Sequence, residues 1–329
     1  MNINVYNNLN TKMNDDLSIN LSALIKTNII LSFFSLFGSI AIICLYVFRK
    51  KNRNFVFNLV FYLSISETLN SIGNIMSIHK LYDDESGFND TVCDIQAVII
   101  NYTDFCSLTW MCIISYTLYD LMINYNQDFS SKRIFFLVFG FGLPFVFTLV
   151  QVIIFYMTKI NHKNSEGKYE CWCWLFHMNE NWVAVLIFYI FYWVLIVGNF
   201  FVIWRVIRVL KSCVDESDMF CSRIKKMVYK LYMYPLVSAA CFVFATMHRM
   251  YQIFYISRQN RDKLPTEALR LEVVLYLLHG MFICSRGFIY FLLYGCDKKG
   301  KETMKIILGK VYKFFCRKEA KWLKLENIE

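Results

Sequence analysis

Glu67, Asp104, Asp120, Arg249, Glu272 and Arg286 are among the ionisable residues that stand inside stretches otherwise almost wholly apolar. A charge held away from water is costly unless it finds a counter-charge or a polar ligand. Carboxylates and guanidinium groups at such positions suit ion pairing and recognition of a polar guest. They do not compose a hydrolytic centre. Of the five histidines, His79, His162 and His177 fall at or beyond the edges of the apolar stretches, and His248 and His279 are scattered. No CxxC pair or His cluster has metal-ligand spacing, and Cys171-x-Cys173 is too close for the usual zinc pattern. Neither a metal nor a cofactor is expected.

The elements that position these residues follow from composition. Hydrophobic types make up 57% of the 329 residues and charged types only 18%, an imbalance foreign to soluble domains. A bilayer core needs roughly 20 apolar residues per helix. Residues 27–48, 134–158 and 181–204 carry no acidic or basic side chain over that length. Four further segments are as long but hold ionisable residues: 55–79, 95–124, 228–256 and 268–295. The expectation is an all-α, polytopic membrane protein with a bundle of seven transmembrane helices over 25–295. A polar tail, 1–24, precedes it, and a cytoplasmic basic tail, 296–329, follows. Five or six spans is the alternative count.

Seven spans put the termini on opposite sides. Most of the 35 Lys and Arg fall in 49–54, 125–133, 205–230 and the tail after 296. Basic residues collect on the cytoplasmic side, so the N-terminus is expected outside. The sequons at Asn20 and Asn89 then face outward as glycosylation sites. The first 20 residues lack the pattern of a cleavable signal, so the first span is expected to serve as the insertion signal. The net charge of +10 collects on one membrane face, where anionic lipids attract it, and needs no nucleic acid. Residues 298–318 have the periodicity of an amphipathic helix lying on that face, with Cys316 as a palmitoylation candidate.

Cys44, Cys106, Cys112, Cys241 and Cys284 fall within spans as small packing residues. Cys93, Cys171 and Cys173 fall on the oxidising side, where Cys93 can bond to either of the other two. Pro144 and Pro235 fall inside spans four and six, where proline bends a helix.

Among seven-helix classes, a retinal protein needs a lysine in the last span, and 268–297 has none. A transporter often shows repeated halves, and no repeat is visible. A receptor fits best, with a transporter or channel as the alternative. Depth counting at 1.5 Å per residue puts Asp104 and Arg249 each ~12 Å below the outer surface. They are expected to pair or to share a ligand, with Asn101, Gln252 and Glu272 nearer the surface and Trp172 and Trp174 as a lid. Glu67 and Arg286, with Asn70, form a second expected pair, a switch candidate with Pro235 as its hinge. Asp120 is a candidate restraint on cationic loop residues.

Several motifs carry a resemblance: Cys93, Trp172-Cys173-Trp174, Trp110 with Tyr119, Gly142-Leu143-Pro144, and Phe244-Ala245 with Arg249. Together they resemble the cyclic-AMP-receptor-like seven-helix receptors, distant relatives of the secretin-like receptors. The Asp-Arg-Tyr and Asn-Pro-x-x-Tyr signatures of rhodopsin-like receptors are absent, as is a cysteine-rich ectodomain. The resemblance implies a non-enzymatic, G-protein-coupled receptor of the plasma membrane. Its partners would be an extracellular small molecule (cAMP or another polar ligand), a heterotrimeric G protein and membrane lipids. It also selects Cys173 as the partner of Cys93.

Overall fold

The computed structural model describes residues 3–48, 55–81, 88–124, 129, 131–161, 182–212, 219–256 and 266–295. All regular structure among them is helical. The helices are α1 (Ile3–Phe48), α2 (Phe55–Ile75), α3 (Phe88–Ile123), α4 (Arg133–Leu137), α5 (Leu143–Asn161), α6 (Trp182–Ser212), α7 (Met219–Tyr251), α8 (Thr266–Cys284) and α9 (Arg286–Gly295). A π-helical turn, Val138–Gly142, joins α4 to α5, and α8 and α9 form one bent unit. Seven helical spans result. The backbone of the N-terminal tail is helical from Ile3, because extending a helix already nucleated by the membrane span is cheap. The expected C-terminal amphipathic helix and Cys316 lie outside the described residues.

Among the described residues, four helices are long and apolar enough to cross a membrane by hydropathy alone, or five if the bent α8–α9 unit counts as one span. α2 falls short because its buried face is polar, with Ser64, Ser66, Glu67, Asn70, Ser71 and Asn74 all turned inward. In lipid such a face is stable only against other protein.

α3 is the keel, packed on α2, α5, α6 and α7. Two apolar clusters surround it. One gathers Ile42, Leu63, Trp110, Met111, Tyr234 and Tyr290. The other gathers Phe105, Tyr189, Tyr192, Ile196 and Phe242. Trp110 stacks on Tyr62 at 4.9 Å and meets Phe141 at 5.2 Å. Gly140 is small so that this indole can lie on the backbone: a Cβ there would come within 2.6 Å of it. Pro144 supplies no N–H to the carbonyl of Gly140, four residues earlier. That oxygen lies 3.0 Å from the Thr109 hydroxyl of α3, and the chain passes into the proline through the π turn rather than a simple kink.

The α1–α9 contact is a close approach of backbones. Ser32, Ser35 and Ser39 line the buried face of α1. A Cβ on Gly38 would meet the Gly287 carbonyl oxygen and the Phe288 Cα at 2.8 Å, and one on Gly287 would meet the Ser35 carbonyl oxygen at 2.7 Å. Small residues of this kind let membrane helices touch where no hydrophobic force drives them together. The Gly38→Ala and Gly287→Ala variants are each expected to lose about 1–3 kcal/mol of stability, read as a lower melting temperature in detergent. Gly198→Ala is the control, since an added methyl there meets nothing within 4 Å.

Candidate functional site

The intramembrane charges form tiers. In the middle of the bundle, Arg286 sits between two carboxylates. Its Nη2 lies 2.5 Å from Asp104 Oδ1 and its Nε 3.4 Å from Glu67 Oε2. The Arg286 side chain is 0% exposed and that of Glu67 1%, while that of Asp104 is 14% exposed, toward a cavity. Neutral donors complete the cluster. Ser107 donates to Glu67 Oε1 at 2.7 Å, and Asn70 donates to Asp104 Oδ1 at 3.0 Å and to Thr103 at 2.9 Å. Asn74 in turn donates to Asn70 Oδ1 at 2.8 Å.

The backbone aims Arg286. α8 ends at Cys284, α9 begins at Arg286, and the two are bent by 49°. Ser285 and Gly287 flank the bend, the residue types at which helices break. The Gly287 N–H then donates to Ser35 Oγ of α1 at 3.0 Å. A backbone group at the break thus finds a partner, as any such group inside a membrane must.

The expected Asp104–Arg249 pairing is corrected: the ion-pair partner of Asp104 is Arg286. Arg249 Nη1 instead donates to Gln252 Oε1 at 2.9 Å, and Gln252 reaches Glu272 Oε1 at 3.4 Å. Asp104 and Arg249 nevertheless line one cavity, with Asn74, Tyr189, Phe242 and His279 also on its wall. It offers about 40 Å³ to the centres of water-sized molecules, against roughly 10–15 Å³ needed for one water. Asn101 does not line it. Its amide donates to Gln151 of α5, because Asn101 and Asp104 differ by about 60° around α3. Glu272 lies within α8, six residues after its start at Thr266.

His248 and His279, scattered in sequence, are brought together. Their Nδ1 atoms are 2.9 Å apart, both side chains are buried, and the contact joins α7 to α8 beside Arg249. A nitrogen–nitrogen hydrogen bond requires one ring to donate and the other to accept. Two mid-span histidines near one end of adjacent spans were the available signal.

At the other end of α3, Asp120 Oδ2 pairs with Lys132 at 2.9 Å, and Asn124 donates to its Oδ1 at 2.8 Å. The bonds from Lys132 to Asp120 and Tyr116 raise the ammonium above its ordinary value. Pro235 lies within α7. Cys93 is disulfide-bonded. Cys171, Cys173, Trp172 and Trp174 lie outside the described residues. Asn20 falls in α1 and Asn89 in the first turn of α3, and their side chains also lie outside the description.

Seven spans closed around a buried ionic cluster, with a polar cavity above it, are the build of a seven-helix receptor. The family described as 7 transmembrane receptor (Secretin family) matches residues 18–283. The chain belongs to that family, as a multi-pass protein of the plasma membrane and a receptor of the G-protein-coupled type. It is 26% identical over 242 residues to "G-protein coupled receptor 1" of Arabidopsis thaliana, covering 69% of each chain. It is 24% identical to "Cyclic AMP receptor 2" of Dictyostelium discoideum, over 66% of this chain and 52% of that one. "Cyclic AMP receptor-like protein E" of the same organism is 21% identical, over 72% of this chain and 77% of its own length.

Removing Arg286 leaves two neighbouring carboxylates without their counter-charge, that of Glu67 fully buried. Arg286→Met is expected to cost about 3–5 kcal/mol, seen as a large drop in melting temperature. Adding Glu67→Gln and Asp104→Asn to it is expected to recover much of that loss.

Proposed function

We propose that the chain is inserted with its N-terminus outside and binds an extracellular, small, anion-bearing ligand at the Arg249 cavity. Binding is then passed to a heterotrimeric G protein at the Asp120 end. The observation that carries this reading is the cavity, where Arg249, Asp104, Tyr189 and His279 converge from α7, α3, α6 and α8. An arginine on the cavity wall that donates to the neutral amide oxygen of Gln252 suits an incoming phosphate or carboxylate. Two relatives carry cyclic AMP in their names, which makes cAMP the first ligand to try.

The cavity has room for only a few water-sized molecules, so a nucleotide must part the helix ends that close it. His248–His279 joins two of those ends. Parting them pulls on α7 above Pro235 and on α8 above the bend at Arg286. In this reading the Glu67–Arg286–Asp104 cluster is the switch, Pro235 is the pivot, and Asp120–Lys132 restrains the cytoplasmic end. A Cys93–Cys173 bond would tether the loop bearing Trp174 over the mouth. Glycosylation at Asn20 and Asn89 would fit the same orientation.

The test is ligand-dependent nucleotide exchange on membranes carrying the chain and a G protein, screened with cAMP and other small anions. Arg249→Ala is expected to raise the half-maximal concentration of the active ligand by at least about thirtyfold at unchanged surface expression. Normal potency in that variant would remove the pocket assignment.

A further inference from the structure

One face of α6 changes character along its length. Val194, Val197, Phe201 and Trp204 are exposed, and the same stripe continues into Arg205, Arg208 and Lys211, exposed as well. Steps of three and four residues keep these positions on one side of the helix. Val194 to Trp204 spans about 15 Å of axis, and Arg208 lies roughly 6 Å further. The face therefore leaves the hydrocarbon and enters the headgroup layer within about one turn.

The arginines there are pre-positioned. The Arg208 guanidinium lies 3.7 Å from the centroid of the Trp204 ring, and that of Arg205 lies 5.4 Å from the Phe201 ring. The two rings themselves sit 5.9 Å apart. An aromatic ring covers the flat face of a guanidinium and leaves the N–H groups, which lie in its plane, available to acceptors. The acidic groups within ion-pair distance of a base among the described residues, Asp120, Glu67 and Asp104, are held by Lys132 and Arg286. Neither Arg205 nor Arg208 shares in those pairs. In the proposed orientation this end of α6 meets the cytoplasmic leaflet, which carries anionic lipid.

We propose that Arg205 and Arg208, seated on Phe201 and Trp204, form a binding site for the headgroup of an anionic phospholipid, with inositol lipids bearing phosphomonoesters as the preferred class. A guanidinium fork matches phosphate oxygens in pairs. Two forks one helical turn apart fit a headgroup with several phosphates better than one with a single phosphodiester. Lys211, in the last turn of α6, extends the positive surface along the same edge. Bound lipid would fix the depth of α6, which packs on α3 and α7.

The proposal rests on the orientation reading, and its test separates the two. The full chain in neutral detergent is titrated with a fluorescent phosphatylinositol bisphosphate and, separately, with phosphatidylserine. The bisphosphate is expected to bind more tightly. R205Q/R208Q is expected to weaken it by about thirtyfold, and W204L, which keeps every charge, by severalfold. R205K/R208K keeps the charge but loses the forks, and should lose the preference over phosphatidylserine. Unchanged affinity in R205Q/R208Q, or full selectivity in R205K/R208K, would overturn the site. Melting temperatures confirm folding, and W204L and R205K/R208K carry the test if the glutamine variant fails to fold. Terminal tags probed by protease in sealed vesicles report the orientation alone: an inward N-terminus with selectivity intact would place this headgroup site in the outer leaflet and overturn its cytoplasmic assignment.

Discussion

Everything in this bundle depends on Arg286 being buried between two acids. A lone guanidinium in a membrane interior would be prohibitive, and so would two adjacent carboxylates without it. Glu67 comes from α2, Asp104 from α3 and Arg286 from α9, so satisfying the charge fixes three spans against one another. The neutral donors Ser107 and Asn70 add bonds to the same carboxylates, which cannot donate for themselves. The break beside Arg286 adds a fourth span, because the Gly287 amide takes its acceptor from α1.

The other contacts can be ranked by their distance from this cluster along α3. One turn beyond Asp104, Ser107 holds Glu67. Two residues further, Thr109 reaches the Gly140 carbonyl, to which Pro144 has no N–H to donate, and Trp110 fills the hollow over Gly140. Near the end of the helix, Asp120 holds Lys132. One helix thus meets the cavity, the ionic cluster, the proline-bent span and the loop-end ion pair in succession. A rotation or slide of α3 changes all of them together, which is what a helix must do if events at one end are to be felt at the other.

The spans themselves were legible because hydrocarbon thickness sets their length, and even polar α2 was found, since its ionisable content did not shorten it. Glu67 with Arg286 was legible for a similar reason: neighbouring spans with opposite charges in a dry interior have few other choices. The partner of Asp104 was not. Counting residues gives height along an axis but not direction around it, and Arg286 reaches Asp104 only because the seventh span bends at Ser285. Asn101 failed on the same ground, one turn above Asp104 yet turned toward Gln151. The histidine pair needed the register of α7 against α8, which no single-chain periodicity carries. The loop that holds Cys171, Trp172, Cys173 and Trp174 lies outside the described residues.

The two arginines bordering this machinery are not equivalent toward a guest. A cation entering the cavity and seeking Asp104 must compete with Arg286, whose displacement would leave Glu67 and a guanidinium to find new partners inside the membrane. In the proposed reading, an anion approaching Arg249 meets a side chain that donates to the amide oxygen of Gln252, and a neutral acceptor is a weaker rival than a carboxylate. Releasing Gln252 also frees its link to Glu272 on α8. In that reading anion capture at Arg249 comes first, and its consequence falls on the α7–α8 contact that the histidines share. The central cluster is reached only through the movement of those helices, which lets it remain intact until the spans themselves shift.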